Sequence, residues 1–151
     1  MNDNGARKFT TTEAWPEKRG TSIITAVVDA MRTNDIDAWR NDPILTLSVD
    51  KPAEGFVEVS LLMAWSDGLG WEINRECKRV GGYDPTMTSV GDRSRLGEFI
   101  PHPIETAVCV GACVSNDVAA RIVEDFAANP AILSGACEWA RWADLAFPHE
   151  G

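Results

Sequence analysis

A chain of 151 residues with 44% apolar side chains is long enough to bury a core of its own, which excludes a disordered chain and one that folds only around disulfides or a metal. Its 14 Lys and Arg against 23 Asp and Glu leave a net charge of −9, which argues against nucleic acid and membrane surfaces as partners and in favour of basic ones. No apolar run approaches the roughly 20 residues that cross a bilayer, and residues 1–20 carry no secretory core, so a cytoplasmic protein with Cys77, Cys109, Cys113 and Cys137 reduced is expected.

Residues 1–20 mix Asn, Thr, Pro and charge without a period and read as an irregular N-terminal arm, ahead of a single α+β domain over 21–151. Thr21 or Ser22 can cap a helix whose Ile23, Ile24, Val27, Val28 and Met31 fall on one stripe. Asp35, Asp37 and Asp42 lack the glycine and glutamate of a calcium loop and read as a solvated helix end. A strand is predicted over Ile44 to Val49 and another over Phe56 to Trp65, the second half of the latter apolar enough for a central position. The Asp-Gly of "SDGLG" supplies a hairpin turn, and "WEINREC" returns as the partner strand, with Trp71, Ile73 and Arg75 on one face and Glu72 and Glu76 on the other. Residues 78–97 are rich in Gly, Ser, Thr, Pro and Asp and read as a long loop with one strand-like piece near Thr86 to Val90. Glu105 to Val114 reads as a strand of small residues. Ser115 then caps a helix with Val118, Ala119, Ile122, Val123 and Phe126 on its apolar stripe, stopped at Asn129-Pro130, and "CEWARW" closes the chain as a strand. The sum is an α+β protein, a mostly antiparallel sheet with two helices packed on one face as a two-layer sandwich.

The chemistry-bearing residues are few. Cys109 and Cys113 would share a face of a strand, but neither His102 nor His149 completes a zinc set at a familiar spacing. His102, between two prolines, occupies a loop position from which a base could act, although nothing in the spacing brings it to a cysteine. The glycines of "DGLG" and "VGG" lack the strand-to-helix setting of a phosphate cradle. No catalytic residue, metal or cofactor is expected. The turn instead suggests a binding surface: Asp67, Trp71, Glu72 and Glu76, with Tyr83 and Asp84 of the following loop, would set an aromatic anchor among carboxylates at one end of the sheet. The other reading of Trp71 is that it covers the sheet end as core.

The succession of an N-terminal amphipathic helix, a strand pair meeting at an Asp-Gly turn, a polar Gly-rich stretch, a strand and then "VSNDVAARIVEDFAANPAILSGACEW" resembles the first-numbered immunity-protein family of bacterial polymorphic toxin systems. The resemblance covers the last two-thirds of the chain and rests on Ser115, Phe126, Pro130, Gly135 and Trp139. It implies a non-enzymatic cytoplasmic antitoxin that blocks a toxin domain, often a nucleic-acid deaminase or nuclease with a basic cleft. Two other readings stand beside it: a small-ligand-binding or enzymatic domain using the 78–97 loop, and a phage or accessory inhibitor of another protein target.

Overall fold

The computed structural model describes residues 9–11, 23–102 and 107–147. The fold is α+β. Helix α1 (Ile23–Arg32) buries Ala26, Val27, Val28, Ala30 and Met31 and packs the half-buried Ile23 and Ile24 against the core, so the predicted stripe faces inward; the expected caps Thr21 and Ser22 lie outside the described residues. A helix not foreseen, α2 (Ile36–Asn41), follows at once. Asp35 caps it by accepting from the Ala38 N–H, and its purpose in the fold is to bury Trp39 completely.

Strands β1 (Phe9–Thr11), β2 (Ile44–Asp50), β3 (Phe56–Ser66), β4 (Gly70–Arg79), β6 (Met87–Val90) and β9 (Glu138–Arg141) lie side by side in that order, every neighbour antiparallel, and β5 (Gly82–Tyr83) folds back on the end of β4. Three residues of the expected irregular arm thus form an edge strand. The remainder of that arm lies outside the described residues. The cross-strand rows explain the core. Leu45, Met63 and Ile73 form one row, and Leu47, Leu61 and Arg75 the next. A third is made by Val49, Val59 and Cys77. Side chains alternate between faces, so these rows share one face, and they pack into one cluster with the apolar stripes of α1 and of α3 (Asn116–Ala128). Helices α1 and α3 are tied at the surface by Arg32, whose two terminal nitrogens donate to both Glu124 carboxylate oxygens at 2.9 and 2.7 Å.

The opposite face is covered over only half its length. Ala64, Ser66, Glu72, Thr88 and Val90 are buried there, near the β3–β4 turn, whereas Glu58, Glu76 and Lys78 at the far end are exposed. The cover comes from residues 91–102 and 107–115, which contain a 3-10 turn at Arg93–Arg95 and the two-stranded ladder of β7 (Phe99–Ile100) and β8 (Val108–Cys109). The strand expected over Glu105 to Val114 is therefore interrupted. Only Val108–Cys109 pairs as β8, a 3-10 turn takes Val110–Ala112, and Val114 bridges Trp71. Glycine is what permits this. A Cβ on Gly111 would lie 2.5 Å from backbone atoms of residues 92–96, and one on Gly91 would lie 1.9 Å from the Cys113 carbonyl oxygen.

Candidate functional site

The β3–β4 turn end is interior architecture. Trp71 is fully buried, meets Trp39 edge-on with centroids 4.7 Å apart, and donates its indole N–H to Asn116 Oδ1 at 2.9 Å. Its backbone exchanges hydrogen bonds with Val114. Gly70, at φ +101°, carries no Cβ because one would sit 2.1 Å from the Val114 carbonyl oxygen. Glu72 is buried on the other face, where one carboxylate oxygen accepts the Cys109 N–H at 2.7 Å and the other accepts from Asn74 Nδ2 at 3.1 Å. Asp67 stays at the surface, held by Arg40 at 2.7 Å. Trp71 and Glu72 are thus corrected: both are closed off, because residues 91–102 and 107–114 and α2 pack against the two sides of this turn.

The thiols and His102 offer no activated nucleophile–base pair. The Cys109 Sγ donates to the Leu96 carbonyl and the Cys113 Sγ to the Cys109 carbonyl. Burial raises both thiol pKa values, that of Cys113 to about 12 with the Glu72 carboxylate adding to the effect. Cys77 and Cys137 are raised as well, again first by burial. His102, expected on an open loop, is buried with Nε2 3.0 Å from the Trp65 carbonyl oxygen. Among the described residues no group of three or more His, Cys, Asp or Glu is placed to hold a metal; His149 lies outside them.

The far end of the same hairpin is open. Asp50 pairs with Glu58, Glu58 with Lys78, and Lys78 with Tyr83, so these four side chains form one row across β2, β3, β4 and β5. Ser48, Ser60 and Glu76 form the adjacent row. Tyr83 is 75% exposed and Val80, in the turn beside it, 77%. The Lys78 ammonium stands 5.8 Å from the Tyr83 ring centre. Arg32, Arg40, Arg79, Arg93 and Arg95 are each engaged by a carboxylate, whereas Asp50, Glu58 and Glu76 have no ion-pair partner among the described residues. Asp50 and Glu58 face each other directly, a like-charge contact offset in part by Lys78 on the other side of Glu58.

Of the six residues expected in one surface, the structure keeps Glu76 and Tyr83 together on the open face, places Asp84 at the same end but on the opposite face beside Arg79, and separates all three from Asp67, Trp71 and Glu72. Tyr83 lies opposite Lys78, seven residues along β4 from Trp71, or about 23 Å at strand rise. Asp84 is half-buried and accepts from Arg79 Nε at 3.0 Å. The sequence reading missed Asp50, Glu58, Lys78 and Val80. Strand parity carries a signal for Glu58 and Lys78, which fall on the same face as Glu76. What defines this protein structurally is an α+β fold whose antiparallel sheet has helices on one face and a half-open acidic second face.

No protein-family model, curated protein or solved structure matches the chain, so its role has to be argued from its own residues. No described helix is long and apolar enough to cross a membrane.

Proposed function

We propose that this protein is a non-enzymatic cytoplasmic binding protein of the immunity type, which blocks a toxin domain by applying the open end of its sheet to a basic active-site cleft. The observation that carries this reading is the set of unpaired carboxylates of Asp50, Glu58 and Glu76 around the exposed Tyr83 and Val80. Three carboxylates against the one ammonium of Lys78 make a surface in which a basic partner would relieve like-charge repulsion on docking. Tyr83 supplies the large, stiff side chain that anchors such interfaces. A nucleic-acid-targeting deaminase or nuclease, whose cleft must itself be basic to hold its substrate, has the complementary chemistry.

Co-expression with the product of the neighbouring reading frame, followed by pull-down and an assay of that product's nuclease or deaminase activity, tests the reading. The expected result is a stable complex and lost toxin activity, both weakened by Tyr83→Ala and by Glu58→Lys with Glu76→Lys. A complex that forms equally well with all three substitutions would place the binding surface elsewhere, and no complex at all would remove the reading.

A further inference from the structure

The sheet ends in a strand that is paired along one side alone. β9 meets β6, and among the described residues no strand lies on its other side. The Trp142 N–H donates to the Thr86 carbonyl at 2.9 Å, and this fixes the alternation along β9. Glu138 and Ala140 turn their backbone groups toward β6, whereas Trp139 and Arg141 turn theirs outward. Among the described residues no backbone group bonds the outward N–H and C=O of these two. Glu138 and Arg141 are exposed, and neither a proline nor a bulge interrupts the strand. An edge left open in this way is a template for another strand.

The residues of the edge complement one another. In a second copy running antiparallel about a two-fold axis at Ala140, Trp139 of each chain stands opposite Arg141 of the other. Each such pair exchanges two hydrogen bonds, so every outward backbone group of the strand is used. The same pairs bring the Arg141 guanidinium, which has no carboxylate within ion-pair distance among the described residues, to a Trp139 indole held in place by its N–H bond to the Ser134 carbonyl at 2.8 Å. Ala140, facing its own copy, leaves the axis clear. The neighbouring registers lose these features. An axis at Arg141 sets two guanidinium groups opposite each other and calls on Ala143, inside the 3-10 turn Trp142–Asp144, while an axis at Trp139 leaves Arg141 beyond the end of the opposing strand. Self-complementarity about one residue is what a two-fold contact requires. We infer that β9 is a self-association edge, at which two copies of this chain join β9 to β9 antiparallel about Ala140 and continue one sheet through both. A contact of four residues per chain makes the dimer weak and quick to exchange. β6 separates this edge from the strands of the acidic row, so the inference does not depend on the proposed toxin.

Sedimentation equilibrium of the full chain between about 10 μM and about 1 mM is the test, and the average mass should climb toward twice that of one chain. Arg141→Pro is the variant that the backbone allows. Arg141 already sits at φ −72° and ψ 129°, where proline fits, and its N–H points away from β6, so the substitution keeps the β6 ladder while removing an outward donor and the cation. Association should weaken by about tenfold or more. A chain that stays monomeric at every concentration, or an Arg141→Pro protein that associates as the parent does, would overturn the inference. Should Arg141→Pro fail to fold, amide hydrogen exchange in the unaltered protein decides. Exchange at the Trp139 and Arg141 N–H groups should slow as the protein is concentrated, and rates at both that ignore concentration rule the edge out.

Discussion

The two ends of the β3–β4 hairpin are built from similar letters and do opposite things. At one end Trp65, Asp67, Gly68, Gly70, Trp71 and Glu72 surround a tight turn; at the other Glu76, Lys78, Val80, Gly81, Gly82, Tyr83 and Asp84 surround another. The first is sealed on both faces, by α2 and α3 with Trp39 and Asn116 on one side and by residues 91–102 and 107–113 on the other. The second leaves a tyrosine and a valine in solvent. The difference arises from chain that is distant in sequence, so a turn that looks like a surface loop becomes part of the core when another segment crosses it.

The sharpest break between the ends is a crossed pair of truncations. Trp71→Ala should cost about 3–5 kcal/mol, from the lost indole volume, the edge-on contact with Trp39 and an Asn116 acceptor left without its donor. Tyr83→Ala should stay within about 0.5 kcal/mol of the parent in denaturant unfolding. In binding to a basic partner the order reverses: Tyr83→Ala should speed dissociation by about 2 kcal/mol or more. A large unfolding penalty for Tyr83→Ala would mean that the far end is as closed as the turn end.

The glycines sharpen the same contrast through the backbone. Gly70 and Gly81 both have positive φ, +101° and +89°, yet a Cβ on Gly70 would strike the Val114 carbonyl and one on Gly81 would meet nothing within 4 Å. Gly81→Ala should therefore cost only the left-handed strain, about 1–2 kcal/mol. Gly70→Ala adds a forced separation of β4 from Val114 and should cost about 3 kcal/mol or more. Equal penalties in urea melts would show that the Val114 bridge yields easily.

Much of the sheet was legible because strand parity is local. The alternation in 56–65 and 71–77 places Leu61, Met63 and Ile73 on one face and Glu76 on the other, and the structure agrees. The same parity put Arg75 beside Ile73, so its burial could be read even though its hydrogen bond to the Pro130 carbonyl could not. Helix α2 was missed because its six residues offer less than two turns of periodicity, although Asp35 ahead of Ile36 is an N-cap signal. The break at Val110–Ala112 was illegible, since it depends on Gly111 meeting residues 92–96 backbone to backbone. The site itself was half legible: composition found the residue types, and only the placing of residues 91–102 and 107–113 over the sheet decides which end remains open.

Alkaline pH probes the sealed end. The Cys113 thiol is pushed up to about 12 in the folded protein from an ordinary value near 9.0, so the unfolded chain releases that proton first. Its contribution to stability is fully present below pH 9 and is lost progressively as pH rises toward 12, at up to about 1.4 kcal/mol per unit and less where water reaches the site. Unfolding free energies at pH 8 and pH 10 should differ by about 1 kcal/mol from this thiol, and Cys113→Ala should flatten the slope by that amount. A slope unchanged by the substitution would assign the loss to other groups.

The smallest effects on the protein alone, and the most telling about its surface, come from reversing charge at each end. Asp67→Lys removes the exposed pair with Arg40, and a solvent-screened pair of this kind should contribute little to stability. Glu58→Lys exchanges the like-charge contact with Asp50 for an opposite-charge one, but it also turns the facing Lys78 into a like-charge neighbour, so the stability of the isolated protein should change little. Against a basic partner the consequences part company. Glu58→Lys and Glu76→Lys change the field where docking is proposed and should slow association about tenfold at low salt, with the difference shrinking as the Debye length falls to about 8 Å at physiological ionic strength. Asp67→Lys, roughly the length of a ten-residue strand away, lies beyond that length and should alter the association rate much less. Stopped-flow association at two salt concentrations separates the outcomes: a Glu58→Lys protein of near-parent stability that associates slowly means the carboxylate serves binding, while equal slowing by Asp67→Lys would reduce the acidic row to a share of the net charge of −9.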